Sequence, residues 1–387
     1  MSMRLKFEMA IISFSVVISF VGYGSEVDSF TNRYQNLVTL RDDIDVINDQ
    51  INYYIDLALE KSNTQSSSQC LDVKGVVENA RKFLGAHWRS QTGAGYYKEN
   101  NLYRWLKYDG PISRNYTGVK NSVYRDFTIF ESPSLAGVSM FHDTMGALLK
   151  HGNIIVGSDK YTHFFNRGKK YWKNYYGLGK ESRMIRSEKQ RERYMLDMGN
   201  YSEESLFGSK STGVASFGDL AANFQGMRFW NKFAGTGADI VTGIVPSPYI
   251  QCQANKWVQI ERVDMRDWVN ASWDEALNCS KYKNAIMANK VKKRIDQLKR
   301  NDPTRLYECP VDMLKIWSTK QVFGRFYEEL VNVAPYDFIP ESKQSWKEPN
   351  YKDYMDKEDQ KLLESHHNLG NVVNDNYDPD DDEIEDD

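Results

Sequence analysis

The residues best able to do chemistry lie between positions 158 and 226. Ser158-Asp159-Lys160-Tyr161-Thr162-His163-Phe164-Phe165 places a carboxylate and an imidazole four residues apart. Ser216-Phe217-Gly218-Asp219-Leu220-Ala221-Ala222-Asn223-Phe224-Gln225-Gly226 repeats that spacing with Asp219 and Asn223. On a helix, positions i and i+4 share a face, so each pair points one way. Between them, Tyr201–Gly208 carries Glu203 and Glu204, either of which can add a carboxylate. Imidazole beside carboxylates suits proton transfer or ligation of a divalent metal. The candidate catalytic set is therefore Asp159, His163, Glu204 (or its neighbour Glu203), Asp219 and Asn223. A divalent metal would draw on Asp159, His163 and Asp219. A structural reading competes: Ser158 as an N-cap with Asp159 in the first turn, and Ser216 with Asp219 as a variant capping box. Capping leaves His163 and Asn223 unexplained, because each stands four residues inside its helix beside Phe164-Phe165 or Ala221-Ala222. The expectation is that Asp159, His163, Asp219 and Asn223 meet on facing helices, with Glu203 or Glu204 joining them.

Four consecutive helices are expected to frame this centre: 133–150, 158 to 177 or 179, 184–206 and 216–233. Ahead of them, Phe30, Tyr34, Leu37, Leu40, Ile44, Ile47, Ile51 and Ile55 recur at three- and four-residue steps, which predicts one amphipathic helix over 26–62. A polar linker (61–69), a helix over 73–87 and a ring-rich stretch of loops and short strands over 88–131 follow. A hairpin is predicted over 246–263, turning at Ala254-Asn255-Lys256. Helices are predicted over 285–299 and 310–331. The fold class is mainly α: a bundle-like core over 66–335 with a long N-terminal helix and a small hairpin. The polar chain from about residue 340 ends in Asp380-Asp381-Asp382-Glu383-Ile384-Glu385-Asp386-Asp387, a run that repels itself and predicts disorder.

The pattern D-K-x-x-H, then a Glu, then D-x-x-x-N-x-x-G resembles the VanZ family and the related YfiM-like envelope proteins. Asp159, Lys160, His163, Asp219, Asn223 and Gly226 carry the resemblance, with Glu204 or Glu203 as the intermediate acid, over roughly 70 of 387 residues. The resemblance implies a cell-envelope setting and supplies no settled chemistry. Family members place these residues on membrane-spanning helices. Here Asn166, Arg167, Lys169, Lys170 and Lys173 follow His163 and forbid a span.

The N-terminus reads as an export signal: Arg4 and Lys6, an apolar run from Met9 to Val21, then Gly22 and Gly24, which predicts cleavage after Gly24. A retained anchor is the alternative. Four cysteines (Cys70, Cys252, Cys279, Cys309) in an oxidising compartment allow two disulfides, with Cys252–Cys279 expected from proximity in sequence. A net charge of −3 argues against nucleic acid as a partner. A G-x-S-x-G elbow, a Walker loop and H-E-x-x-H are absent from the sequence. Asp264, Asp267, Asp274 and Glu275, near Trp268 and Trp273, offer carboxylates for glycosidase-like chemistry but read as solvated surface. Three function classes follow: an exported envelope protein with a structural or interaction role and an envelope component as partner; a hydrolase of envelope lipid or glycan using the Asp/His/Glu cluster; and a glycan-binding module using the rings of 88–131.

Overall fold

Helix dominates the computed structural model, which describes residues 26–65, 70, 73–85, 101–137, 145–204, 208–344, 347–357 and 360. The segment before residue 26, with its cleavage site, lies outside the described residues. The single helix expected over 26–62 is two helices, α1 (Arg33–Thr39) and α2 (Ile44–Gln65). Leu40 between them is extended (φ −74°, ψ 135°). The acids at the break explain it. Asp42 accepts hydrogen bonds from Ile44 N at 3.2 Å and Gly152 N at 2.6 Å, and Asp43 accepts from Ser113 N at 2.5 Å. Side chains that offer the backbone an alternative to helical bonding end helices in this way. The apolar period survives because Leu40 and Ile44 remain four apart across the break.

The helix expected over 133–150 is also corrected. Pro133–Gly137 forms one π-helical turn, and 138–144 lie outside the described residues. The chain then makes a hairpin, β1 (Leu148–His151) against β2 (Ile154–Gly157), with His151 opposite Ile154. Gly152 supplies the positive φ of +58° that the turn needs. Ile154, Ile155 and Val156 are β-branched and buried, which suits a strand over a helix.

The next helix, α4, is continuous through three pieces, Asp159–Thr162, a π-helical turn His163–Arg167, and Gly168–Tyr175. It is followed by α5 (Glu188–Glu204) and α6 (Phe217–Ala234). The helices α4 and α6 pack closely, and glycines set that approach. A methyl group on Gly226 would stand 1.9 Å from the Phe164 carbonyl oxygen, and one on Gly168 2.5 Å from Gly226 Cα. Rings fill the space around this crossing: Phe164, Phe165, Phe229, Trp230, Trp268 and Trp273 pack with centroid separations of 4.8–6.4 Å. Trp230 Nε1 donates to the Phe165 carbonyl at 2.9 Å, so the largest buried ring also satisfies its polar atom.

Around this core stand α3 (Val73–Leu84) against α2, and the predicted hairpin, β4 (Ile250–Gln253) with β5 (Lys256–Gln259). Its two turn residues, Ala254 and Asn255, both have positive φ, the geometry of a tight two-residue hairpin. Two-residue strands β3 (Val214–Ala215) and β6 (Lys281–Tyr282) form a third small pair. Residues 101–131 hold short helical turns, and their β contact among the described residues is an isolated bridge between Asn115 and Leu148. The basic helix α7 (Ala285–Asn301) is present as predicted. The helix expected over 310–331 is broken into Met313–Trp317, Lys320–Phe323 and Tyr327–Leu330. The disulfides are Cys70–Cys252 and Cys279–Cys309, in place of the expected Cys252–Cys279. Cys252 sits on β4, whose partner β5 lies against α2; Cys279 sits after the 271–273 turn, against the chain that returns after α7. The tail is folded further than expected: Met355 is buried against Ile185 and Tyr194, while 361–387 lie outside the described residues.

Candidate functional site

Lys160 is the residue around which the polar centre is built. It follows the first residue of α4 and has no exposed surface. Its ammonium Nζ lies 3.0 Å from Asp159 Oδ2, 2.5 Å from Asp219 Oδ1 and 2.5 Å from Glu275 Oε1. The Asp219 contact is an ion pair whose angle is not that of a hydrogen bond. Ser216 closes the arrangement. Its Oγ donates to Glu275 Oε1 at 3.0 Å and accepts from Asp219 N at 3.2 Å, which makes it the N-cap of α6. Ser158 does not cap α4; its Oγ accepts from Ala147 N instead. One cation thus joins α4, α6 and the 274–278 turn.

Burial alone would depress the Lys160 pKa. Asp159, Asp219 and Glu275 outweigh it and hold the ammonium well above its ordinary value. The acids move the other way. Burial raises Glu275 to about 7 against the pull of Lys160, and burial raises Asp159 despite the same partner. Burial, then the Asp219 charge, raises Glu203 well above the usual range. Glu26 is raised by burial and by Glu275, and its Oε1 accepts from Thr212 Oγ1 at 2.7 Å. The centre therefore holds more carboxyl groups than its cations neutralise, and protons or a metal ion are the ways to balance it.

His163 forms the outer wall, with 20 % of its side chain exposed. Its Nε2 lies 3.3 Å from Asp219 Oδ2, its Nδ1 3.1 Å from Asn223 Oδ1 and 3.8 Å from Glu203 Oε1. The buried Tyr171 hydroxyl interacts with the Asn223 side chain. His163 opens the π-helical turn of α4: Gly168 N–H donates to the His163 carbonyl, five residues back. Such one-turn bulges occur often at functional sites.

Asp159, His163, Asp219 and Asn223 come together on facing helices as the spacing predicts, and Glu203 is the acid that joins them. Glu204 points away, its Oε2 3.9 Å from Lys343 Nζ, so it leaves the candidate catalytic set. Adjacent residues on a helix are about 100° apart, and here Glu203 faces the centre while Glu204 is turned toward Lys343. The residues expected to hold a metal, Asp159, His163 and Asp219, do not stand as one group: Asp159 clusters with Asp219 and Glu275, and His163 with Glu203 and Asp219. Asp274 and Glu275 are buried ion partners, not solvated surface. Asp274 takes a two-pronged ion pair from Arg33 at 2.8 Å and 2.8 Å, and Glu275 faces Lys160. Asp264 caps its own turn and accepts from Asn48 Nδ2 at 2.8 Å. Of the ring-rich stretch, Tyr124 is buried, Tyr103 and Trp105 are half-buried, and Tyr108 and Tyr116 are exposed; Tyr96 and Tyr97 lie outside the described residues.

Sequence reasoning names Lys160 only within the resemblance and Glu275 only as surface, and places neither in the centre. For Lys160 a signal existed, a lysine between an acid and an apolar run inside the D-K-x-x-H pattern. For Glu275, 115 residues away from its partner, no local signal exists. No helix among the described residues is long and apolar enough to cross a membrane. No protein-family model, curated protein or solved structure matches the chain.

Proposed function

We propose that this chain is an exported cell-envelope protein with a structural or interaction role, and that the Lys160 network is the pin that fixes its core. The observation that carries the reading is the fully buried ammonium shared by Asp159, Asp219 and Glu275. A group so enclosed is placed to hold elements together and badly placed to meet a substrate. Two disulfides suit an oxidising compartment. The likeness of D-K-x-x-H and D-x-x-x-N-x-x-G to VanZ-like and YfiM-like proteins supports an envelope setting.

A hydrolase of envelope lipid or glycan is the second reading. It draws on His163, the partly exposed member of the centre, which faces Asp219 and Glu203. Equilibrium urea unfolding separates the two. If the centre is a pin, Lys160→Met leaves three buried carboxyls without their cation and costs about 3–5 kcal/mol, while His163→Ala costs less. A Lys160→Met protein as stable as its parent would count against the structural reading.

A further inference from the structure

Two groups of three side chains share Asp219. Asp159, Asp219 and Glu275 have donor atoms within 4.8 Å of one another, and so do His163, Glu203 and Asp219. The first group surrounds the Lys160 ammonium, which takes the place a metal would need. The second contains no lysine. Asp219 divides its oxygens between them: Oδ1 faces Lys160, and Oδ2 faces His163 Nε2.

We infer that His163, Glu203 and Asp219 form a binding site for a divalent transition-metal ion of the zinc class. It rests on the ion-network reading above only in that Lys160 fills the neighbouring triad. Asn223 Oδ1 is an acceptor, so His163 Nδ1 donates to it and carries the ring proton. In the neutral tautomer that leaves the Nε2 lone pair facing Asp219 Oδ2 at 3.3 Å, two acceptors that either a second ring proton or a metal ion between them would reconcile. Two ligand atoms of a tetrahedral zinc ion, each about 2.0–2.1 Å from the metal, stand about that far apart. A second and independent observation points the same way. Glu203 is 2 % exposed, and its Oε1, 3.8 Å from the imidazole Nδ1, accepts no hydrogen bond, while a carboxylate oxygen of the same residue lies within 4.8 Å of the ligand atoms of His163 and Asp219. An orphaned buried carboxylate oxygen is costly unless something binds it. Asn223, which interacts with Tyr171, supplies the outer support that ligand histidines ordinarily have. The exposed edge of His163 leaves a way in and a fourth position for an exchangeable ligand.

The test is calorimetric titration of tag-free, chelator-treated full chain with Zn²⁺ at pH 7.5. The parent is expected to take up one ion per chain with a dissociation constant below about 10 μM, in the range of ordinary protein sites. His163→Ala and the near-isosteric Glu203→Gln should each weaken binding at least tenfold. Glu204→Gln, whose carboxyl faces Lys343, should stay within twofold. Parent protein that takes up no Zn²⁺ at 100 μM overturns the site, as does binding that survives both His163→Ala and Glu203→Gln. Failure here with a destabilised Lys160→Met protein removes the metal and leaves the pin; the converse removes the pin alone.

Discussion

Gly226→Ala is the sharpest perturbation of the helix crossing that assembles the centre. The added methyl would stand 1.9 Å from the Phe164 carbonyl oxygen, 2.7 Å from its carbon and 2.9 Å from its Cα. All three are backbone atoms, so no side-chain rotation relieves the contact. Ordinary van der Waals separation begins at 3.4 Å, which requires α4 and α6 to part locally by roughly 1.5 Å. The His163–Asn223 contact, 3.1 Å in the parent, cannot span that gap. Overpacking costs about 1–3 kcal/mol, and the lost hydrogen bond adds about 1 kcal/mol. Alanine's better helix propensity returns about 1 kcal/mol. The net expectation is a loss of about 1–3 kcal/mol, read as a lower urea midpoint by far-ultraviolet circular dichroism with an unchanged slope. Gly179→Ala is the control. There the methyl would meet a movable side-chain oxygen, Ser182 Oγ at 3.1 Å, and the change should stay within about 0.5 kcal/mol. A Gly226→Ala protein as stable as its parent would show that the close crossing is not what holds the site.

Further outcomes follow from the same geometry. Glu275 is raised to about 7 in the fold from 4.5, so its neutral form is the one the native state favours. Its stabilising contribution is full below about pH 4.5 and is lost as pH rises through about 7. Stability should therefore be higher at pH 5.5 than at 8.5, and Glu275→Gln should flatten that slope; an unchanged slope contradicts the assignment. Below this window Glu78, lowered to about 2 by Lys169 and Arg81 against its burial, loses its contribution as acid protonates it. Peptide mapping without reduction should recover Cys70–Cys252 and Cys279–Cys309, bridges spanning 182 and 30 residues. Loop closure on those scales is worth about 5 and about 4 kcal/mol. Recovery of a Cys252–Cys279 peptide would refute the pairing.

The meeting of His163 with Asp219 and Asn223 was legible because each half is local: four residues along one helix fix a shared face. The β4–β5 turn was legible for the same reason, since Ala254-Asn255 sits between two alternating runs. The break after α1 was hidden, because Leu40 to Ile44 keeps a helical step even though Asp42 and Asp43 bind the backbone of Gly152 and Ser113. The strands β1 and β2 were hidden by a long apolar stretch in which Ile154-Ile155-Val156 carries the deciding β-branching. Neither disulfide could be read from spacing, because Cys252 bonds a residue 182 positions away. Glu275 reads as surface because carboxylates are mostly solvated, and its partner Lys160 is brought to it only by the packing of α4 against the 274–278 turn. Local periodicity reports faces; it does not report which distant charge completes them.

The most direct measurement of the central claim is nitrogen-detected NMR of the lysine side chains across an alkaline titration, with Lys160→Met to assign the signal. Three carboxylates around a buried ammonium predict that Lys160 Nζ stays protonated well above the ordinary lysine value of 10.5 and is shielded from solvent exchange. Since its folded value is raised, its stabilisation is present below 10.5 and lost only as pH climbs through that higher value. An Nζ that loses its proton at or below the ordinary value, or exchanges as freely as surface lysines do, would contradict the ion network on which the account stands.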